Sequence, residues 1–334
     1  MMNAKERVMR VLNHQAADRM PCFSANAAVT YDQMEKVQAF WPEGHENGAA
    51  MAKQALSAYT VLGFDAVRVP FCQTIEAEAL GCKLKPGGSE GIPGIDFPPP
   101  YTLDDTPVFP DDFLSRGRIP ELLKAVRLLK NELGDEVPIV GGIIGPFTIA
   151  GGLLDSVPLL KASIKTPEKI RPFLDIAEKA GTTLAHALVD AGADIIACED
   201  MTASPMLAAP DTYRDYEFEY QKRQFGAISV PKILHICGNV DFIVEYMGQT
   251  GADVLSLEPK ANIKLAREKC GTDIILMGGV DTVTSLYLMD PQTIKQECEK
   301  TIAGGIQILA PGCSVAPATP LENLLAMVDV ARAQ

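Results

Sequence analysis

The sequence predicts an α/β protein of the (β/α)8 TIM-barrel class, and three observations support that prediction. First, four segments repeat one order of features, in which a helix ends at glycine and an apolar run follows at once. Glycine after a helix can adopt the left-handed conformation that turns the chain directly into a strand. Second, the apolar runs do not alternate with polar residues, as expected for parallel strands covered on both faces. Third, strands and helices alternate along the chain, which is typical of a parallel sheet. The four segments are 62–69, 190–196, 250–255 and 303–309.

Eight strands follow from the apolar runs, and eight parallel strands suggest a closed barrel. A doubly wound open sheet is the alternative, but no G-x-G-x-x-G turn follows the first strand. An N-terminal extension precedes the barrel. The strands are predicted at 21–25, 66–70, 139–143, 195–198, 233–237, 254–258, 274–277 and 307–310.

Three helix starts are indicated by an N-cap residue placed before a proline at the first helical position. Thr319 and Glu322 also have the spacing of a capping box, so that helix is expected to begin at Pro320. The three pairs are Thr166-Pro167, Asp290-Pro291 and Thr319-Pro320.

Residues 70–120 interrupt the repeat between strands two and three and are rich in glycine and proline. They predict an extended excursion or a hairpin. Loops of this length are usually functional, and this one leaves the carboxyl end of a barrel strand, where active sites lie. We therefore expect one domain over residues 1–334, with the excursion as a lid or a partner-docking surface.

Composition excludes some classes of function. The 334 residues are 47% hydrophobic, and 30 basic against 43 acidic residues give a net charge of −13. Nucleic-acid binding requires clustered Lys and Arg, so nucleic acid is not an expected partner.

Cysteine usage and hydropathy argue for a cytoplasmic protein. The eight cysteines show no disulfide framework, and the first ten residues form a polar, helix-like segment that does not resemble a signal peptide. Residues 137–154 carry no charge, but they contain two prolines and five glycines. They predict a strand and a loop, and we expect no membrane-spanning segment.

A candidate zinc site begins with His235 and Cys237 at the end of the fifth predicted strand. Alternate residues of a strand share a face, so imidazole and thiol point the same way. Cys313 lies 76 residues further on, after the eighth strand. The carboxyl ends of both strands open on the same face of a barrel, so the fold would bring the three side chains together. Three protein ligands leave a fourth position for water or substrate, as in catalytic zinc sites.

Other residues on this rim have more than one interpretation. Glu258, at the end of the sixth strand, could bind the fourth position, act from outside the ligand sphere or cap the next helix. Glu199 and Asp200 end the fourth strand and could orient His235, or they could be solvated loop acids. The remaining candidates are expected to be structural or packing residues: Cys270, Cys298, His14, His45 and His186.

Several motifs resemble those of the methylcobamide:coenzyme M methyltransferases, which belong to the uroporphyrinogen decarboxylase superfamily. The resemblance runs nearly end to end, and the H-x-C…C triad is specific because the decarboxylases lack it. It implies a TIM barrel, zinc bound by His235, Cys237 and Cys313, and Glu258 close to the metal. The motifs are His235–Asn239, Ala310–Cys313, Ala316–Asn323, Asp18–Pro21 with Arg7, Val137–Gly142 and Ala203–Pro205.

The activity that the resemblance implies is zinc-dependent methyl transfer from a methyl-Co(III) corrinoid to the thiol of coenzyme M, in methylotrophic methanogenesis. A separate partner protein should supply the corrinoid, because the chain shows no cobalamin-binding module. Glu199 is a candidate cofactor-site residue. Asn239 and backbone N–H groups are candidate contacts of the sulfonate, for which no basic cluster is visible.

Three alternatives remain open on the sequence. A related zinc enzyme could pass the methyl group to another thiol or to a folate. A uroporphyrinogen decarboxylase-like enzyme would need basic residues for a substrate with many carboxylates, and residues 20–28 contain no arginine. A structural zinc protein or a corrinoid-binding protein is the non-enzyme alternative.

Overall fold

A curled parallel sheet forms the centre of the computed structural model, which describes residues 2–334. Its seven strands follow the order β1-β4-β5-β6-β7-β8-β9, and every neighbouring pair is parallel. The nine strands of residues 2–334 are β1 (Val67–Val69), β2 (Leu84–Lys85), β3 (Gly94–Ile95), β4 (Ile139–Ile144), β5 (Ile195–Glu199), β6 (Lys232–His235), β7 (Val254–Leu257), β8 (Ile275–Val280) and β9 (Ile308–Pro311).

Seven of the eight predicted strands are present, with ends shifted by at most a few residues. Every residue of β4 and of β8 is buried, as expected for strands covered on both faces. The apolar runs therefore identified these strands correctly.

The predicted strand at 21–25 is wrong as a strand, because only a single parallel bridge between Cys22 and Leu309 forms there. Pro21 has no N–H group to donate to a ladder, and the amide of Asn26 turns back to the Ser24 hydroxyl at 3.2 Å. The segment nevertheless contacts both edges of the sheet. The Pro21 carbonyl accepts from the Leu309 amide at 3.0 Å, and the Cys22 carbonyl accepts from the Asp65 amide at 2.8 Å.

Helices alternate with the strands and pack outside the sheet. The fifteen α-helices of residues 2–334 are α1 (Ala4–Leu12), α2 (Tyr31–Val37), α3 (Glu43–Glu46), α4 (Gly48–Ser57), α5 (Ile75–Ala79), α6 (Ile119–Leu133), α7 (Pro146–Leu154), α8 (Ser156–Lys165), α9 (Pro167–Ala191), α10 (Pro210–Thr212), α11 (Phe218–Gly226), α12 (Val244–Met247), α13 (Ile263–Cys270), α14 (Pro291–Ala303) and α15 (Leu321–Arg332). Short π-helical turns cover Ala58–Leu62 and Tyr213–Glu217, and 3-10 turns cover Phe113–Ser115 and Met201–Ala203.

Two of the three predicted helix starts are confirmed. α9 and α14 begin at the proline, and the Asp290 carboxylate caps α14 by accepting from the amides at 292 and 293. The capping box at Thr319 is wrong. α15 begins one residue later, at Leu321, and its N-cap is Pro320, whose side chain makes no capping hydrogen bond.

Left-handed glycines lie between helix and strand in all four repeated segments: Gly63 and Gly192 are C-caps, and Gly251 and Gly305 lie in the turns after α12 and α14. Gly63, Gly192, Gly251 and Gly305 have φ values of 76°, 117°, 90° and 105°. A side chain is strained at such angles, so glycine at these positions lets each helix turn into the next strand.

The excursion between β1 and β4 contains the helix α5, the antiparallel pair β2–β3 and the 3-10 turn. The pair β2–β3 is a short antiparallel hairpin of two residues in each strand. The connection from β2 to β3 folds back toward the N-terminal segment, where the Tyr31 hydroxyl donates to the Glu90 carbonyl at 3.1 Å.

The uncharged stretch at 137–154 forms β4 and α7, so a helix stands where a loop was predicted. Within residues 2–334, no single helix is both long and apolar enough to cross a bilayer. One pair, α7 with α8, meets the length and hydropathy criteria together, and it is bent by 110°.

Candidate metal centre

Four potential ligands converge at the carboxyl ends of β6, β7 and β9. The donor atoms of His235, Cys237, Glu258 and Cys313 all lie within 4.8 Å of one another. Cys237 Sγ is 3.4 Å from His235 Nε2 and 3.8 Å from Cys313 Sγ. The structure therefore brings together the three residues expected as metal ligands, with Glu258 beside them.

Parallel strand register positions the imidazole. His235 is paired with Ser256 on β7, and His235 Nδ1 lies 3.1 Å from the Ser256 carbonyl oxygen and 3.2 Å from its hydroxyl. The carbonyl can only accept, so Nδ1 carries the proton and Nε2 is left as an electron-pair donor facing the thiols. The sequence analysis did not identify Ser256 as a partner, because that contact follows from strand register.

The electrostatics of the cluster favour an anionic sulfur. The hydrogen bond between Cys237 and Cys313, together with contact to His235, lowers the Cys313 pKa well below its usual value although burial raises it. The Cys237 pKa is raised, first by the same hydrogen bond and then by burial. Burial lowers the His235 pKa, but the hydrogen bond to Cys313 and its charge raise it above the usual value.

Glu199 and Asp200 are buried and do not hold the imidazole, whose Nδ1 is engaged by Ser256. The Glu199 carboxylate accepts from the guanidinium of Arg68 and, at 2.6 Å, from Gln73 Nε2. Glu199 therefore acts on His235 only through its charge. The predicted orientation of His235 by these acids is not what the structure shows.

Asp200 belongs to a different network. Its carboxylate accepts from the Thr148 amide and hydroxyl at 2.9 and 2.7 Å and from Gln221 Nε2 at 3.0 Å. These contacts fix the start of α7 behind the cluster, so the reading of Asp200 as a solvated loop acid is wrong.

Asn239 makes a local contact. Its side-chain oxygen accepts from the Asp241 amide at 2.9 Å, which stabilises the turn after β6.

A cavity of about 480 Å³ opens above the thiols. Cys237 and Cys313 line it, and so do Arg68, Gln73 and Glu199. Arg68 and Gln73 were not identified from the sequence, since a single arginine in an apolar strand carries no local signal of a site. The connection between β2 and β3 also lines the cavity, through Glu90, Gly91 and Ile92.

Three of the other cysteines and histidines lie outside the cluster and have packing or local contacts of their own. Cys298 is buried within α14, and Cys270 ends α13, where its thiol donates to the Val244 carbonyl at 3.2 Å. His45 is buried against Trp41, with ring centroids 4.6 Å apart, and burial lowers its pKa to about 4.

Comparisons with known proteins agree with this arrangement. The sequence profile of the uroporphyrinogen decarboxylase family (URO-D) matches residues 3–334. The chain is 38% identical over 327 residues to "Methylcobamide:CoM methyltransferase MtaA" of Methanosarcina barkeri (strain Fusaro / DSM 804), covering 97% of this chain and 96% of the relative. It is 36% identical over 332 residues to "Methylcobamide:CoM methyltransferase MtbA" of Methanosarcina mazei, covering 98% and 97%.

A solved structure described as a methyltransferase from Methanosarcina mazei superposes with a TM-score of 0.95. It is 38% identical, with 100% of this chain and 99% of that chain covered. The resemblance drawn from the motifs is confirmed: the chain belongs to the uroporphyrinogen decarboxylase family and, within it, to the methylcobamide:coenzyme M methyltransferases.

Proposed function

We propose that this protein transfers a methyl group from a methyl-Co(III) corrinoid, carried by a partner protein, to the thiol of coenzyme M. The products are methyl-coenzyme M and the Co(I) corrinoid. The observation that carries the proposal is the cluster of two thiols, an imidazole and a carboxylate, whose two cysteines line the cavity. Relatives with 36–38% identity over nearly the whole chain bear the names of methylcobamide:coenzyme M methyltransferases.

The donor set fits zinc. Thiolate and imidazole are the ligands that zinc prefers, and the Nδ1 contact of His235 leaves Nε2 free to bind. His235, Cys237 and Cys313 would hold the ion. Zinc bound there lowers the pKa of a substrate thiol and keeps its thiolate nucleophilic at neutral pH.

Glu258 is the proposed catalytic carboxylate. It is partly exposed, and its oxygen lies within 4.8 Å of the three other donor atoms. It either occupies the fourth position until the thiol enters or acts beside the metal without binding it. Coenzyme M must bind as the thiolate, so binding should release a proton.

The thiolate attacks the methyl carbon along the Co–methyl axis, which requires the corrinoid to lie over the open side of the cavity. We propose that residues 21–23 close the sheet as a (β/α)8 barrel within one domain over 1–334. We also propose that the excursion at 70–120 is its lid or docking surface. Support comes from Glu90, Gly91 and Ile92, which line the cavity.

The rival decarboxylase reading is disfavoured by charge. Within residues 2–334, Arg68 is the only Lys or Arg that lines the cavity. A tetrapyrrole with many carboxylates would leave most of its charges unpaired there.

A substrate panel tests the proposal. Purified protein loaded with zinc should methylate coenzyme M with methylcobalamin as donor, and methylated corrinoid proteins for methanol, methylamines or methyl sulfides would identify the physiological donor. Methylation of a folate or of another thiol, with coenzyme M left unchanged, would contradict the proposed acceptor.

X-ray absorption distinguishes an enzyme from a structural zinc protein. The zinc edge should show one exchangeable O or N ligand that becomes sulfur when coenzyme M is added. Four permanent protein ligands, with no change on adding coenzyme M, would favour the structural alternative.

A further inference from the structure

Among residues 2–334, a single cationic side chain lines the cavity, and it projects from a buried strand. Arg68 is the middle residue of β1, between Val67 and Val69, which are fully buried. Its own side chain is 6% exposed and lines the cavity that also contains the thiols of Cys237 and Cys313. A buried, charged guanidinium is costly unless it is paired and hydrogen-bonded, so we expect Arg68 to have a specific role.

The guanidinium of Arg68 donates to two acceptors, one on each terminal nitrogen. One terminal nitrogen, Nη1, donates to the Pro70 carbonyl, and the other, Nη2, donates to the Glu199 carboxylate. Gln73 Nε2 holds the second oxygen of Glu199 at 2.6 Å. A Cβ on Gly142 would lie 2.5 Å from Arg68 Nη2, so the absence of a side chain on β4 makes room for the guanidinium.

Donors remain after these contacts. A guanidinium has five N–H groups, and two of them are used by Pro70 and Glu199. The Nε of Arg68 is buried without a partner. Arg68 also borders a cavity of about 10 Å³ with Asn26, whose amide atoms have no partner, and one water there could serve Nε and the amide. The second N–H of each terminal nitrogen is then available for a ligand in the large cavity.

The ligand that suits these donors is a compact, permanently ionised oxyanion. Glu199 accepts from only one N–H group of Arg68. A bound oxyanion would accept from the N–H groups of Arg68 that remain. Planar guanidinium groups bind such oxygens through two parallel, charge-assisted hydrogen bonds. Coenzyme M carries a sulfonate two carbons from its thiol, and Cys237, Cys313 and Arg68 all line the same cavity.

We propose that Arg68 recognises the sulfonate of coenzyme M and thereby selects an anionic thiol over a neutral thiol. This inference rests on the proposed function, since it assigns the second end of the same substrate. Gly142 and Glu199 are positioning residues for the guanidinium, and Gln73 fixes Glu199. Asn239, the earlier candidate for the sulfonate, is occupied in its local turn.

The test compares coenzyme M with 2-mercaptoethanol, which has the same thiol arm and no sulfonate, using methylcobalamin as donor. Removing a charge-assisted pair costs a factor of about 10 to 100 in binding. Arg68→Met should therefore lower the ratio of kcat/KM for coenzyme M to that for 2-mercaptoethanol by this factor, mainly through KM for coenzyme M. The matched control, Arg127→Met on the exposed side of α6, should keep the wild-type ratio.

Ethanesulfonate, which has no thiol, separates this inference from the proposed function. Calorimetry should detect its binding to the wild type and a loss of about 10- to 100-fold in affinity in Arg68→Met. A wild-type protein that methylates neither thiol but still binds ethanesulfonate through Arg68 would refute the methyl transfer and leave this site standing.

Arg68→Met leaves the buried Glu199 without its cation and is expected to destabilise the fold. The double variant Arg68→Met with Glu199→Gln removes both charges and should show the same fall in the kcat/KM ratio. An unchanged ratio in a folded variant, or equal ethanesulfonate affinity with and without Arg68, overturns the proposal.

Discussion

His235 Nδ1 lies 3.1 Å from the carbonyl oxygen of Ser256, its partner in the parallel register of β6 and β7. A backbone carbonyl can only accept, so the proton of the neutral imidazole lies on Nδ1. The unprotonated Nε2 then faces Cys237. The orientation of this candidate metal ligand is thus set by the sheet itself.

We expect Ser256→Ala to weaken zinc binding by less than about tenfold, below the usual 10- to 100-fold effect of losing an outer partner. The carbonyl contact remains when the hydroxyl, at 3.2 Å, is removed. Competition with a chromophoric chelator would measure the affinity, with His235→Ala as the reference for full loss. A hundredfold loss in Ser256→Ala would show that the hydroxyl, and not the carbonyl, holds the ring.

Cys237→Ala and Cys313→Ala should lose zinc and coenzyme M methylation together while the fold is kept. Each removes one of the two sulfur ligands of the proposed site, whose Sγ atoms are 3.8 Å apart. Atomic absorption, circular dichroism and turnover with methylcobalamin would measure the three properties. Cys270→Ala, which changes a half-buried cysteine outside the cluster, should keep both zinc and activity. Full activity in metal-free Cys237→Ala would refute the proposed role of the metal.

Glu76 should make the protein less stable as pH rises through neutrality. Burial raises its pKa from 4.5 to about 7, with Glu199 raising it further and the Ile144 amide and Arg68 opposing the shift. Between these values the folded state binds the proton and the unfolded state does not, so unfolding free energy falls with rising pH. The loss is complete above about pH 7 and amounts to about 3 kcal/mol.

Glu76→Gln should remove this pH dependence, since the amide oxygen can still accept from the Ile144 amide, now 2.7 Å from the carboxylate. Urea unfolding should show the variant more stable than wild type at pH 8 and close to it at pH 5. Glu35→Gln, an exposed change on α2, serves as the control. Equal differences at both pH values would mean that Glu76 does not titrate in this range.

Asp65→Asn should destabilise the fold by about 3–5 kcal/mol, because a buried carboxylate with several partners is lost. Asp65 accepts from Arg7 and Arg19, with N–O distances of 2.7–2.9 Å, and from the Cys22 amide at 2.9 Å. It thereby fixes the segment that contacts both sheet edges. Asp135→Asn is the control, since Asp135 also pairs with two cations but is 85% exposed, and it should change chemical unfolding very little. An equally small effect at position 65 would contradict this role.

The sequence by itself determined the local features of this protein. Helix-ending glycines such as Gly192 and apolar runs such as the one before His235 predicted eight strands, of which seven form. These features are visible in the sequence because helix ends and strand burial depend on neighbouring residues. Strand alternation also predicted that His235 and Cys237 point to the same face, and the sequence motifs indicated the family.

Only the tertiary structure decided the relationships between distant segments. Whether Cys313 reaches Cys237, which carbonyl orients His235 and where Arg68 points depend on strand register and sheet curvature. These are set by hydrogen bonds between residues that are far apart in sequence. The same cause reduced the first predicted strand to one bridge at Cys22, because pairing there depends on the last strand and on Asp65. The local sequence pattern specifies the helices and strands, whereas hydrogen bonding between distant segments specifies the geometry of the candidate metal centre.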